Sequence, residues 1–319
     1  MLFVTKKVIN KKSYYYLQYG GRSLCLGDGV PHNIKDLLIG FFTKIGDDAI
    51  AKLNSAAVKT FAPKKLNEIE KMKCLFTLIS SSELFTKEYA DYLRQFIMQF
   101  AFNSNRSEGS KTKRNEFEKI AISNIRKPKN RTEREVLNSL AAIKFAFSDE
   151  MKWNLKSIRK IHSLLLHDLD DPLIVGKWKT ENNVAPGEQP TAAPSQVKNE
   201  MKKLLEWFVE NKKKIYPPLL AIEFYIRFES IHPFLDGNGR VGRILFNTIL
   251  FHFNYAPIVF FSQNHKAHCS AITKATHGRS RNFRHQFLDQ AKKTFNLIKI
   301  IGIITANSAQ INLRSLMMT

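Results

Sequence analysis

The segment His232-Pro-Phe-Leu-Asp-Gly-Asn-Gly-Arg-Val-Gly-Arg243 constrains this chain more than any other stretch. It lies between two runs of helical character, Leu219 to Ser230 before it and an uncharged apolar run from Ile244 after it. That setting rules out a dinucleotide-binding sheet. The spacing Gly237-x-Gly239-x-x-Gly242 would serve such a sheet only after a β-strand, with an acidic residue about twenty positions on. Neither condition is met, and no Walker lysine motif appears.

What the segment offers is a helix–loop–helix carrying the groups that a polyphosphate needs. Gly237-Asn238-Gly239 leaves backbone N–H groups to form an anion nest at the N-terminus of a helix expected to start near Arg240. Arg240 and Arg243 are three apart and so share a helix face, aiming two guanidinium forks at one place. Asp236 is a hard oxygen ligand beside the nest, suited to Mg²⁺ or Mn²⁺. His232, with an ordinary pKa of about 6.5, can accept a proton near neutrality. Phe234 is expected to plug the loop into the core. An ordinary interhelical turn would leave base, metal ligand, nest and paired arginines within twelve residues without a reason.

Composition bounds the rest. The chain has 319 residues, 44% of them hydrophobic, with 24 Phe, so it can bury a sizeable core, and bulk disorder is excluded. Only 14 Gly and 11 Pro argue against a many-turned all-β fold and for helices. The net charge of +22 suggests a polyanionic partner: nucleic acid, an anionic membrane surface or a nucleotide. Cys25, Cys74 and Cys269 are odd in number and far apart, which points to a reducing cytoplasm rather than a disulfide scaffold. The opening apolar run, Leu2 to Val4, is too short for a signal-peptide core. Ile244 to His265 carries no formal charge but is interrupted by Asn247, Asn254 and Pro257. It is expected to be a buried helix followed by an extended piece, and no membrane-spanning segment is expected.

The expected architecture is mainly α. Residues 1–28 form a small β-hairpin or meander: Phe3 to Ile9 and Ser13 to Tyr19 joined by Asn10-Lys11-Lys12, then Ser23 to Leu26. Helical stripes follow at Leu37, Leu38, Phe41 and Phe42, at Leu75, Leu78 and Ile79, and at Phe96, Ile97 and Phe100. Pro63-Lys64-Lys65 marks a boundary, giving an N-terminal region 1–64, a main domain 65–300 and a tail 301–319. One helix runs from a capping box at Thr132 and Glu135 to Ala146, and another from Leu155 to His167. Gly176 to Val184 alternates like a strand, and Pro186-Gly187, Pro190 and Pro194 break the pattern. A new helix starts at Ser195, with a stripe at Met201, Leu204, Leu205 and Phe208.

The His232–Arg243 segment resembles the signature of Fic-domain proteins, HxFx(D/E)GNGRxxR, at every fixed position. Gly176-Lys-Trp-Lys resembles the start of that family's β-hairpin flap, and Pro190 to Met201 its exit. Phe228-Glu-Ser-Ile231, Arg243 to Asn247 and Tyr255 to Val259 resemble the flanking helices and turn, so the likeness covers roughly residues 95–295. It implies a Fic-like helical domain with a β-hairpin flap, and a protein adenylyltransferase that moves AMP from ATP to a Ser, Thr or Tyr hydroxyl of a target protein. In that role His232 would take the hydroxyl proton, and Asp236 would hold Mg²⁺ (or Mn²⁺) between the α- and β-phosphates. Asn238 and the N–H groups around Gly237 and Gly239 would hold the α-phosphate, Arg240 the β-phosphate and Arg243 the γ-phosphate. The flap, with Lys177, Trp178, Lys179, Thr180 and Val184, would pair with an extended strand of the target. Cys269 and Thr276 stand where the family often carries an aromatic residue and an Asn beside adenine, which leaves nucleobase preference open. His265-x-x-His268-Cys269 lacks a fourth ligand and a nearby carboxylate, so no metal is expected there.

Upstream, Ser104-Asn-Arg-Ser-Glu108-Gly109 fits the family's inhibitory pattern, (S/T)xxxE(G/N). Ser104 and Glu108 would share a helical face, with Gly109 ending or bending the turn. The resemblance implies that Glu108 pairs with Arg243 and takes the place of the γ-phosphate, an autoinhibited state. Two alternatives stay open. The same site could remove AMP from a modified protein by hydrolysis, or the chain could be a basic nucleic-acid binder with an inactive Fic domain. A homo-oligomer is also allowed by the sequence, which names neither the target nor a role for residues 1–60.

Overall fold

The computed structural model describes residues 3–19, 21–28, 31, 37–38, 40–41, 44–46, 48, 61, 63–81, 86–123, 125, 127–185 and 189–298. Gly20, Phe42, Pro186, Gly187 and the tail 301–319 lie outside the described residues, as does the side chain of Leu78. The chain divides into two compact units. One comprises the chain up to Arg94 together with Asn254–Ala256 and the chain from Phe295. The other is Gln95–Phe253 with Pro257–Thr294.

The first unit begins with an antiparallel meander, β1 (Phe3–Ile9), β2 (Lys12–Tyr19) and β3 (Arg22–Gly27), paired in that order. Ile9 pairs directly with Lys12, so the turn holds two residues, one fewer than expected from the sequence. Asn10 and Lys11 both have positive φ, 50° and 65°, the backbone that matches a two-residue turn to the twist of its strands. Leu17 and Leu26 are buried. Helix α1 (Pro63–Ser81) opens on Pro63, where a missing N–H loses nothing. Its Leu66, Ile69, Phe76 and Ile79 are buried, and Phe76 packs on Tyr92 of α2 (Thr86–Ser107) with centroids 5.3 Å apart.

The second unit holds α3 (Arg114–Ile122), α4 (Arg131–Ala146), α5 (Leu155–Leu166), α6 (Pro194–Asn211), α7 (Pro217–Ile231), α8 (Asn238–His252), α9 (His265–Thr276) and the greater part of α10 (Arg281–Ile298). The cap of α4 is Asn130, not Thr132. Asn130 Oδ1 accepts the Glu133 N–H at 2.9 Å, and the Glu133 carboxylate accepts the Lys129 N–H at 2.7 Å. Asn is as good a cap as Thr, and Glu135 is drawn away to accept the Ser110 hydroxyl at 2.8 Å. Helix α5 is capped in the same way, by Asn154 on the Ser157 N–H. Helix α6 starts at Pro194, a favoured first-turn residue, with Met201, Leu204, Leu205 and Phe208 buried.

Helices α7 and α8 are buried nearly all round, and α8 carries its polar Asn238, Arg240, Arg243 and Asn247 into the interior. Their contact is close because of Gly242. A Cβ there would lie 2.7 Å from both Glu229 Oε1 and Tyr225 Cε2. From within α8, fully buried Asn247 accepts the Ile258 N–H at 2.7 Å and donates to the Ile258 carbonyl at 2.9 Å, fixing the extended piece that follows the helix. Among the described residues, no helix is long and apolar enough to cross a membrane.

The flap departs from expectation. Strand pairing is confined to β4 (Val184–Ala185) and β5 (Gln189–Pro190), with Val184 opposite Pro190 and Ala185 opposite Gln189. Lys177 to Asn183 is irregular because its polar groups have other partners. The Lys179 N–H donates to the Pro233 carbonyl at 2.9 Å. Its Nζ donates to Asn183 Oδ1 and Thr191 Oγ1 at 2.6 Å each, and to the Ile231 carbonyl at 3.4 Å.

Candidate active site

Helix α7 ends because His232 takes a left-handed backbone, φ 49° and ψ 63°, while its N–H still reaches the Phe228 carbonyl at 2.9 Å. The chain then turns inward at Phe234, which is fully buried. Its ring stacks on His162 of α5 with centroids 3.9 Å apart and planes 11° apart, and on Trp178 at 5.1 Å. Asn238 closes the loop. Its Oδ1 accepts the Phe234 N–H at 2.9 Å and its Nδ2 donates to the Phe234 carbonyl at 2.7 Å. Its side chain is thus committed to the loop, and what it offers a phosphate is its backbone N–H.

Gly237, at φ 76°, is the N-cap, so α8 begins at Asn238, two residues earlier than expected. The N–H groups of Asn238, Gly239 and Arg240 fall in the first turn, where no intrahelical acceptor exists. They form the positive end of the helix and a ready anion site.

One residue that the sequence did not single out holds this loop in place. The Gly176 N–H donates to His162 Nδ1 at 2.9 Å, so the ring proton sits on Nε2, which donates to the Asp236 carbonyl at 3.0 Å. Burial pushes the His162 pKa down to about 4, so the ring stays neutral. A lone histidine on the apolar face with Ile158, Ile161 and Leu165 reads as core. Only its polarity on that face could have drawn attention.

The two arginines behave differently. Arg240 Nη2 donates to Asp236 Oδ2 at 2.8 Å, and its Nε is buried without a partner. Arg243 is 2% exposed. Its Nε donates to Ser104 Oγ at 3.1 Å, and its Nη2 donates to the Ser104 carbonyl at 3.2 Å and Glu108 Oε1 at 2.7 Å. Ser104 lies in the last turn of α2, whereas Glu108 falls just beyond the helix end at Ser107. The Glu108 N–H is held by the Asn105 carbonyl at 3.0 Å, and Gly109 turns the chain at φ 92°. Burial by itself would raise the Glu108 pKa, but Arg243, with Arg240 and His265 behind it, holds the carboxyl below its ordinary value. Burial likewise pulls the Arg243 pKa down, and Glu108, Tyr225 and Glu229 together more than offset it. The pair is locked in its charged form. It also crowds the helix end: a Cβ at Gly239 would meet Glu108 Oε1 at 2.5 Å and Arg243 Nη1 at 2.9 Å.

Glu108, His232, Asp236, Gly237, Asn238, Gly239 and Arg243 line one cavity of about 280 Å³. Val184 of the flap reaches it, and Tyr225, His265, His268 and Cys269 line the remainder. Arg240 does not line it but braces Asp236 from the side, and Thr276 is absent from the lining. His268 Nε2 is 2.9 Å from the Tyr225 hydroxyl, and burial pushes the His268 pKa down to about 3. Of the five flap residues singled out, Lys177, Thr180 and Val184 are exposed, while Trp178 and Lys179 turn into the domain.

A divalent cation suits Asp236. Its side chain is half exposed, one oxygen is engaged by Arg240, and it stands beside the α8 N-terminus. A single hard donor there is the protein share expected for an ion held mostly by phosphate oxygens and water. Among the described residues, no group of three or more His, Cys, Asp or Glu side chains could hold a metal alone.

Residues 152–250 match the Fic/DOC family. The chain is 28% identical over 167 residues to the protein adenylyltransferase Fic of Drosophila ananassae, a match covering 51% of this chain and 33% of the relative. The Drosophila virilis protein of the same name is also 28% identical over 167 residues, with 34% of its length covered. The match therefore spans about a third of the length of these curated relatives. Among solved structures, the fold is similar to a Fic-domain-containing signaling protein from Bacteroides thetaiotaomicron, with a TM-score of 0.63, 20% identity, and 76% of this chain and 99% of that chain covered. It is also similar to Fic-1 from C. elegans, with a TM-score of 0.65, 18% identity and 86% of each chain covered.

Proposed function

We propose, on the premise of the match of residues 152–250 to the Fic/DOC family, that the chain transfers AMP from ATP to a Ser, Thr or Tyr hydroxyl of a protein substrate. The observation that carries this reading is the single cavity in which His232, Asp236, the α8 N-terminus and Arg243 converge. His232 accepts the proton of the attacking hydroxyl. Its oxygen bonds to the α-phosphorus while the bond to the β-phosphate oxygen breaks, and pyrophosphate leaves. The first-turn N–H groups of α8 hold the α-phosphate where negative charge develops, and this preorganised donor set is the largest contribution expected of the protein. Arg243 serves the γ-phosphate, whereas Arg240, held by Asp236 outside the cavity lining, would serve the β-phosphate only on turning away from that carboxylate. Asp236 would hold Mg²⁺ or Mn²⁺, which when bound neutralises part of the triphosphate charge. The target would extend the β4–β5 pair as a further strand.

Glu108 then acts as an inhibitor. Its carboxylate takes the Arg243 guanidinium and adds negative charge where the terminal phosphate must sit. Incubation with ATP labelled at the α-phosphate and Mg²⁺, comparing wild type, Glu108→Gly and Glu108→Gly with His232→Asn, tests the reading. Label transfer by Glu108→Gly, with little by wild type and none by the double variant, is expected. No transfer by Glu108→Gly to itself or to proteins of a lysate overturns it.

A second reading rests on Glu108 and His232 lining the same cavity. With Glu108 in place, the site could orient a water and release AMP from a modified protein. Release by wild type that is lost in Glu108→Gly would favour hydrolysis.

A further inference from the structure

Glu229 is a buried acid that the mechanism above leaves without a task. It lies on α7 one turn before His232 and is 2% exposed. Its Oε2 is 3.5 Å from His232 Nδ1, its Oε1 is buried with no hydrogen-bond partner, and His232 Nδ1 is itself buried and unpartnered. A buried carboxylate with one oxygen unpartnered is strongly unfavourable, so such a group needs a reason to be there. The other cation within its field is Arg243, but that guanidinium is already engaged by Ser104 and Glu108. Tyr225, one turn further back on α7, and Cys269 of α9 also feel the Glu229 charge, and neither is positive. The neighbouring helix leaves space for the carboxylate at Gly242, where any Cβ would meet Glu229 Oε1 at 2.7 Å.

We infer that Glu229 is a positioning residue for His232. Its carboxylate orients the imidazole through Nδ1, keeps the proton on that nitrogen and leaves Nε2 as the acceptor for the substrate hydroxyl. The inference deepens the adenylyl-transfer reading and rests on it. The separation of 3.5 Å is that of a contact that shortens when the ring takes up its proton and becomes a cation. A carboxylate behind a histidine fixes its tautomer and stabilises the imidazolium formed as the proton arrives. Mutation of such a partner commonly lowers the rate while leaving substrate binding alone.

The test uses the full chain carrying Glu108→Gly, with Glu229→Gln and Glu229→Asp added. Glu229→Gln is expected to lower kcat for AMP transfer about 10- to 100-fold with KM for ATP unchanged within about twofold. Glu229→Asp is expected to restore part of that rate. Ring ¹⁵N shifts of His232, assigned by their loss in His232→Asn, supply a readout independent of catalysis. The Nδ1–H tautomer should dominate with Glu229 and decline in Glu229→Gln. An unchanged tautomer population and an unchanged kcat, whatever the change in melting temperature, would overturn the inference and leave Glu229 as a packing group. If the Glu108→Gly reference transfers no AMP while the tautomer shifts as expected, the adenylyl-transfer reading fails and the Glu229–His232 relationship survives it.

Discussion

Glu108 and Arg243 stand 135 residues apart in the chain, yet Glu108 Oε1 and Arg243 Nη2 are 2.7 Å apart at the N-terminal end of α8. The arginine is 2% exposed and the glutamate side chain 23%. Removing one partner of such a pair leaves a buried charge uncompensated, which is far more damaging than losing a surface ion pair.

Glu108→Gln should therefore destabilise the protein by about 3 kcal/mol at pH 7. The deficit must depend on pH in one direction. A carboxyl whose folded pKa is depressed contributes stability above its unfolded value, here 4.5, and loses it as pH falls through the lower folded value. Urea unfolding at pH 7, 5 and 3.5 should show wild type and Glu108→Gln converging at the lowest pH. A deficit equally large at pH 3.5 would show that the charge is not its source.

Gly242→Ala sets two effects against each other. Replacing a helical glycine by alanine gains about 1 kcal/mol of helix propensity. A Cβ 2.7 Å from Glu229 Oε1 and Tyr225 Cε2 forces α7 and α8 apart, and overpacking of this kind costs about 1–3 kcal/mol. Both obstructing groups are buried on a central helix, so repulsion should win. We expect a net loss of about 1–2 kcal/mol, read by chemical denaturation, together with lower AMP transfer.

His162→Ala should cost about 2–4 kcal/mol, from a cavity under Phe234 and two lost hydrogen bonds. Because those bonds tie Gly176 and the Asp236 carbonyl to one ring, the turn at Gly237 should loosen as well. AMP transfer measured in the Glu108→Gly background well below the melting temperature should fall, with the helical circular dichroism retained.

Lys179→Met keeps the aliphatic stem and removes three hydrogen bonds, to Asn183, Thr191 and the Ile231 carbonyl. Limited proteolysis should cut faster between positions 177 and 191 in this variant, with cleavage elsewhere unchanged. Equal cutting rates would mean that the Lys179 ammonium does not hold the flap, leaving that task to Trp178 on Phe234, the Lys179 N–H on the Pro233 carbonyl and Asn183 Nδ2 on the Phe234 carbonyl.

The placement of region 232–243 was legible because its groups are contiguous: histidine, carboxylate, glycines and arginines follow one another, and helical period on either side sets their relative placement. Even so, two of its residues have unexpected duties. Gly242, which completes a dinucleotide-like spacing, is a helix-packing glycine, and Arg240 braces Asp236 rather than lining the cavity. The part played by His162, and the inward turn of Lys179 that the sequence assigned to target docking, were illegible for one reason. Each includes a hydrogen bond to a backbone carbonyl, 74 and 52 residues away, and a carbonyl leaves no mark on the residue type that bears it. The strand expected over Gly176 to Val184 failed on a related ground, since Trp178 and Lys179, adjacent in the chain, both turn inward as anchors, which the alternating faces of a ladder do not allow. Asn130 was overlooked as a cap because Thr132 with Glu135 offers an equally good local pattern, and only the partner of Glu135 decides between them.

The backbone at His232 is also a filter on history. A left-handed φ of 49° disfavours most L-residues by roughly 1–2 kcal/mol, while Gly, Asn and Asp adopt it readily and β-branched side chains worst of all. A descendant of this chain that lost the His232 imidazole would keep the loop most easily with Asn, Asp or Gly at position 232. Valine or isoleucine there would record the decay of the turn itself, so the residue found at this one position in a lineage distinguishes a silenced site from a collapsed one.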